Sequence, residues 1–264
     1  MNLRIVAIRR FYLWLMLFAV VCSAAKIGSA QSPLAGATPM PQASPTPQTA
    51  PTPSLEKQFF KNILRDQKAI WTSPFRLSGR DAKWLVPLGL STAALIATDR
   101  RTAAFVGRGG DMSVISRGFS SGGSVYATGG VVAGLYIIGR SSGNRRMRET
   151  GLLATEALID SGIVTWAIKS TTLRPRPYKG DGSGRFFTTG NSFPSGHATS
   201  VWSVATVVAY EYQDRPLVRY GAYAAATAVS LSRYTGRSHF LSDALIGSAI
   251  GYLIGRFVYR RHRH

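Results

Sequence analysis

One cysteine, Cys22, is all the thiol that this chain of 264 residues has. It falls within the apolar stretch near the N-terminus, so neither a disulfide framework nor a thiolate metal centre holds the fold, and stability has to come from packing. Histidine is scarce too. Of the four, His262 and His264 stand at the very end, which leaves His197 and His239 for the body of the chain. A zinc hydrolase is poorly provisioned by such a set, and the expectation is a chemistry that needs no metal. Acidic residues are few, 12 Asp and Glu against 32 Lys and Arg, for a net charge of +20. That excess points to anionic partners, either phosphorylated substrates or lipid headgroups at a membrane surface. Nucleic acid fits less well, because the basic residues are scattered through apolar segments and form no stripe interleaved with aromatics. Strand-like alternation is absent as well, and helices are left to build the fold.

What is present divides into five stretches. Residues 1–30 have a basic start (Arg4, Arg9, Arg10), an apolar run from Phe11 to Val21 and a small-residue end at Gly28-Ser29-Ala30, the layout of a signal peptide for export. Residues 31–54 are dominated by Pro, Thr, Ala, Ser and Gln and read as an extended tether. Within 55–80, Leu55, Phe59, Ile63 and Ile70 recur among charges, which predicts an amphipathic helix that packs on the next domain or lies on a membrane. Residues 81–260 contain six helix-forming segments, at 82–98, 121–139, 150–170, 194–212, 219–232 and 239–260, so the domain is expected to be all-α. The stretches 107–123 and 175–191 read as loops by turn chemistry, and residues 261–264 as a basic tail with no assigned role. Of the six segments, 121–139 qualifies as a bilayer span, 150–170 carries Glu156 and Asp160, 219–232 is short, and the mean hydropathy of +0.03 is low for six spans.

Three short strings carry the chemistry. His239 and Asp243, four residues apart, share a face if a helix starts near Ser238. The carboxylate then takes Nδ1–H and leaves Nε2 free as a nucleophile. A surface helix contact is the bland alternative, against which Arg233 stands six residues upstream. Pro194-Ser195-Gly196-His197 reads as a second helix start, capped by Asn191 or Ser192. The Ser195 hydroxyl and the Ser195 and Gly196 amides face phosphate oxygens there, and His197 serves as general acid. A capped helix with one solvated histidine is the competing account. Lys169 and Arg176 supply further cations, with Arg174 a rival for the second place or a partner for a nearby carboxylate. Glu156 and Asp160 lie one helical turn apart and read as structural.

The strings KSTTLRPRP from Lys169, PSGH from Pro194 and SRYTGRSHFLSD from Ser232 together resemble the signature of the type 2 phosphatidic acid phosphatase (PAP2) superfamily, which also takes in class A acid phosphatases and vanadium haloperoxidases. The resemblance covers roughly residues 83–260. It implies a bundle of about six core helices and a phosphatase acting on phosphate monoesters, lipid phosphates or diphosphates. His239 is then the phosphohistidine nucleophile, His197 the acid and Asp243 its orienting carboxylate, with Lys169, Arg176, Ser195, Gly196 and Arg233 on the phosphate. Nucleophile and acid need opposite starting charges, so a bell-shaped pH profile is expected. No cofactor is implied, vanadate being an inhibitor or, in the haloperoxidase alternative, the cofactor. A tethered envelope protein that binds lipid phosphate without turnover is the alternative from another class.

Location follows from the leader and from parity. If the leader delivers residues 31–80 outside and the first core helix spans inward, the catalytic loops face the cytoplasm, opposite to the usual side in membrane members of the resembled family. A periplasmic or peripherally attached domain removes the conflict. Basic residues in 140–148 and at the C-terminus lie opposite the catalytic end, as an integral membrane protein would place them, so that topology stands as the alternative.

Overall fold

The computed structural model describes residues 55–106, 124–179 and 181–263. The expected leader, the tether and the loop 107–123 lie outside them. Two compact units divide the chain, Met1–Gln58 and Phe59–His264, and the bundle with its site belongs to the second.

The described residues are all helical, without strands: α1 Leu55–Thr72, a 3₁₀ turn Ser73–Arg76, α2 Gly79–Val106, α3 Val125–Ser141, α4 Arg145–Thr172, α5 Gly196–Glu211, α6 Pro216–Thr235 and α7 Leu241–His262. The amphipathic segment and all six expected core helices are here. Each boundary has a local cause. Ser124 and Asn144 cap α3 and α4 by accepting Ala127 and Met147 amides at 3.2 and 3.0 Å, and Pro216 opens α6 where its missing N–H costs nothing. At the other end of α4, Leu173 takes a left-handed conformation (φ 45°) and turns the chain into the loop that carries Arg174 and Arg176.

Helix α5 is the centre of the bundle, packed on α3, α4, α6 and α7, and α7 also meets α2, α4 and α6. The core is made of small and medium side chains, among them Leu153, Ala154, Ala157, Val207, Val208, Ala226 and Val258. Gly247, Gly251 and Gly255 make one edge of α7 nearly featureless, and the backbone of α5 rests directly on it. A Cβ at Gly247 or Gly255 would stand 2.5 Å from the carbonyl oxygen of Ser195 or Ser203, and Gly251 meets Thr199 in the same way. Repeated every four residues, this contact locks the start of α5 against the start of α7, and those two starts carry His197 and Asp243.

Two expectations change. The segment 121–139 yields a helix of 17 residues, about 25 Å long. The described helices that are long and apolar enough to cross a membrane are instead α4 and α7. Of the tail expected at 261–264, the described residues 261–263 are docked: Arg261 approaches Asp66 at 3.1 Å, His262 bonds Asp66 at 2.7 Å, and Arg263 pairs with Glu149 and Glu211 at 2.6 and 2.8 Å. Carboxylates on α1, α4 and α5 hold it, and none of them is near it in sequence.

Candidate active site

Lys169 ends α4, Ser195 and His197 start α5, Arg233 ends α6 and His239 with Asp243 starts α7, so four helix ends converge on one pocket. Arg176 joins them from the loop after α4, where its Nε donates to Asn191 Oδ1 at 3.1 Å. The Lys169 ammonium donates to the Asn191 carbonyl and lies 3.5 Å from that of Ser192. Gly196 faces Lys169 directly: a Cβ there would meet Lys169 Cε and Thr165 Cγ2 at 3.8 Å. After α6 the chain folds back so that the amides of Ser238 and His239 both donate to the Arg233 carbonyl, at 3.0 and 3.1 Å, which fixes the imidazole beside the guanidinium. All eight residues singled out in the sequence come to this end of the bundle.

Two local geometries differ from expectation. Phe240 caps α7 and Leu241 starts it, so His239 precedes the helix and is not in its first turn. The four-residue spacing still brings Nδ1 toward Asp243 Oδ2, but at 3.6 Å, an ion-pair separation longer than a hydrogen bond. Ser192 stands between them, its hydroxyl donating to Asp243 Oδ2 and lying 3.4 Å from His239 Nδ1. The same carboxylate oxygen accepts the Phe240 amide at 2.9 Å. Helix α5 likewise starts at Gly196 with Ser195 as its N-cap, so Pro194 precedes the helix. The Ser195 amide, expected to face phosphate, donates to the Asp243 carbonyl at 2.9 Å and ties the two helix starts together. The amides of the first turn of α5, from Gly196 on, remain directed out of the helix end, where the helix dipole favours an anion.

Arg174 is the rival that the structure removes from the pocket. It is 1% exposed, with Nη1 on Asp243 Oδ1 (2.7 Å) and Ser242 Oγ (2.8 Å), Nη2 on Asp99 Oδ2 (2.9 Å) and Nε on the Gly184 carbonyl (2.9 Å). Phe186 and Phe240 sandwich the guanidinium at 4.6 and 4.2 Å. The neighbouring-carboxylate alternative therefore holds for Arg174, which braces Asp243 from behind. Asp99, unremarked in the sequence, and Ser192, read there as a candidate helix cap, complete the brace. Asp99 is 75 residues from Arg174, and only the paired carboxylate at Asp243 hinted that a buried counter-charge was needed.

Charge and polarity in the pocket follow from its composition. Burial first, then the positive charge of Arg233, the His239 ring, Arg176 and Lys169 push the His197 imidazole down to about 3. Burial pulls His239 down to about 4 against the opposing pull of Asp243. Both shifts favour the neutral imidazole, whereas opposite starting charges were expected. A neutral ring can act as a nucleophile, and a ring that is to act as an acid would have to gain a proton. Among the eight site residues, two buried groups have no hydrogen-bond partner, the Ser195 hydroxyl and Nε of Arg233. A donor buried without an acceptor costs about 1–3 kcal/mol, so these two fit a pocket built for a multi-oxygen anion.

Fold and site together define a class: an all-helical bundle whose helix ends gather three cations and two imidazoles. Residues 148–264 match the PAP2 superfamily model. The lipid A 1-phosphatase of Porphyromonas gingivalis is 37% identical over 73 residues, 27% of this chain and 16% of that protein, so the match spans only a small part of that relative. Among solved structures, LpxE of Aquifex aeolicus is similar at 20% identity over 58% of this chain and 88% of that one, with a TM-score of 0.47. The first transmembrane PAP2 type phosphatidylglycerolphosphate phosphatase from Bacillus subtilis is similar at 21% identity over 67% and 94%, with a TM-score of 0.48.

Proposed function

We propose that this protein is a phosphatase that removes the terminal phosphate of a membrane lipid through a phosphohistidine on His239. The observation that carries the lipid part is an apolar groove of about 560 Å³ lined by Val125, Leu158, Ile159, Ile163, Trp166 and Ser200. Trp166 lies one helical turn before Lys169, and Ser200 one turn after Gly196, so the groove opens beside the cations. An acyl chain laid along α4 and α5 would present its headgroup to Lys169, Arg176 and Arg233. Exposed Trp84, Tyr126, Trp166 and Leu217 support a membrane-associated place in the cell envelope.

The chemistry runs in two balanced steps. Nε2 of His239 attacks phosphorus while the bond to the lipid oxygen breaks, and His197 gives that oxygen its proton. Water then attacks the phosphohistidine, His197 takes back a proton and inorganic phosphate leaves. Lys169, Arg176 and Arg233 neutralise the equatorial oxygens of the five-coordinate transition state, and the Ser195 hydroxyl and Gly196 amide bind the same oxygens. Asp243, held by Arg174, Ser192 and the Phe240 amide, keeps Nδ1 of His239 turned inward.

Phosphate release by the full chain in mixed micelles tests the reading, with phosphatidate, a polyprenyl diphosphate and lipid A 1-phosphate set against a soluble aryl phosphate. A lipid preference of at least ~100-fold in kcat/KM is expected, since burying even four methylenes supplies about 3 kcal/mol. Gly162 borders the groove with nothing within 4 Å of a Cβ position, so Gly162→Leu should cut lipid turnover by ~10-fold and leave the aryl phosphate alone. Equal loss on both substrates, or no lipid preference, would remove the groove from the reaction.

A further inference from the structure

A second buried polar cluster sits away from the pocket. Counted along α7, His262 is 19 residues from Asp243, about 28 Å, and along α4, Glu156 is 13 residues from Lys169, about 20 Å. Asp66 of α1, Glu156 of α4 and His262 of α7 are 0%, 1% and 8% exposed, and each offers a ligand atom within 4.8 Å of the others. Glu156 spends Oε1 on Asn62 Nδ2 at 3.1 Å and has no hydrogen-bond partner for Oε2. One turn further on, Asp160 accepts Gln67 Nε2 at 2.8 Å through Oδ1, while its Oδ2 is unpartnered and fully buried.

Charge balance makes this arrangement informative. Three carboxylates are withdrawn from water, and the positive groups that reach them are Arg261, 3.1 Å from Asp66, and the His262 ring. Burying an anion without a matching cation costs several kcal/mol, and a half-satisfied ionic cluster is worse than an apolar one. A hydrogen-bonded helix interface would leave no unpartnered carboxylate oxygen pointing into a dry core. One imidazole with two carboxylates is a donor set for a first-row divalent ion. Ligands about 2.1 Å from a common ion stand about 3 Å apart when adjacent and about 4.2 Å apart when opposed. Asp66 Oδ2 and His262 Nε2 are 2.7 Å apart, near the adjacent distance, and a carboxylate oxygen of Glu156 lies within 4.8 Å of both, close enough for a small side-chain adjustment to bring it onto the same ion.

We propose that Asp66, Glu156 and His262 form a structural site for one divalent transition-metal ion of the Zn²⁺ or Mn²⁺ kind, which ties α1 to the C-terminal end of α7 and to the middle of α4. Asn62, Gln67 and Asp160 surround it and orient the ligands or offset their charge. The ion lies too far from the pocket to touch substrate. Its effect is on folding, by holding the amphipathic helix and the C-terminal turn to the bundle.

The test uses the full chain without an added histidine tag, stripped with chelator and then offered Zn²⁺, Mn²⁺ or Mg²⁺. About one equivalent of Zn²⁺ or Mn²⁺ per chain is expected to survive dialysis, with the melting temperature higher by about 5–10 °C at a hundredfold excess over Kd and little response to Mg²⁺. Glu156→Gln and His262→Gln should each abolish both uptake and shift. The proposal is overturned if stripped protein takes up neither ion at submillimolar concentration, or if Glu156→Gln retains the same equivalent. It is also overturned if Glu156→Gln melts at or above the unstripped wild type, because the carboxyl is then better uncharged and the cluster holds protons in place of a metal. Should a variant fail to fold, calorimetric titration of stripped wild-type protein decides alone: stoichiometric uptake at submillimolar concentration supports the site, and its absence refutes it.

Discussion

Binding of a doubly charged tetrahedral anion should draw a proton out of solution and place it on His197. Sulfate is the right probe, because it is a dianion throughout the neutral range and carries no titrating proton of its own. In the anion-free pocket, burial and the surrounding cations hold the His197 imidazole down to about 3, so it is neutral at pH 7. A dianion at about 4 Å attracts an imidazolium by about 8 kcal/mol at an effective dielectric of 20, equivalent to about 6 pK units. Two-thirds of that, about 4 units, already lifts the pKa of the ring to neutral pH, and the anion also cancels the repulsion from Arg233, Arg176 and Lys169. The sign is fixed: a group whose proton affinity rises on binding takes up a proton in the window between its free and bound values, and pH 7 lies within or at the edge of that window. Calorimetric titration in two buffers of different ionisation enthalpy should report about one proton taken up per sulfate at pH 7. Uptake should vanish in His197→Gln and persist in His239→Gln. Uptake that is zero in wild type, or that disappears in His239→Gln and survives in His197→Gln, would refute this account and give the acid role to the other ring. If it holds, the resting enzyme carries no acid at all, and substrate assembles the charged form of its own catalyst.

Two further outcomes test the frame around the pocket. Arg174→Met should destabilise the protein by about 3–5 kcal/mol, because it strands Asp99 and Asp243, 1% and 0% exposed, without their shared cation. Thermal melting checks this, and a loss below about 1 kcal/mol would mean that the two carboxylates are satisfied in some other way. Ser195→Ala removes a buried hydroxyl that has no partner in the fold, so stability should change by less than about 0.5 kcal/mol while the inhibition constant for phosphate or sulfate rises by at least ~10-fold. An unchanged inhibition constant would take that hydroxyl out of the anion site.

The helices, their order and the gathering of three motif strings were legible in the chain itself. Apolar spacing is a local signal, and so is the four-residue step from His239 to Asp243. Even the glycine edge of α7 can be read, because only a residue without a side chain lets two backbones touch at Gly247, Gly251 and Gly255. Two arginines of one Arg-Pro-Arg-Pro run, however, have opposite fates. Arg176 enters the pocket and Arg174 a buried carboxylate pair, because Asp99 and Asp243 arrive from 75 residues before and 69 residues after it. Ser192 between His239 and Asp243 is a matter of angle and distance that spacing does not encode.

The sharpest contrast is at the C-terminus. Composition alone makes the last residues a basic tail, yet His262 bonds to Asp66 across 196 residues and Arg263 reaches both Glu149 and Glu211. Local preferences along the backbone settle where a helix begins and which of its faces is apolar, so the chain by itself determined the elements, the helical class and the chemical identity of the pocket. Which charges share a buried space is decided by the cost of withdrawing them from water together, a property of pairs brought close by packing. Tertiary structure alone therefore decided that Arg174 braces Asp243, that burial lowers the proton affinity of both pocket imidazoles, and that a second set of carboxylates meets a histidine far from the first.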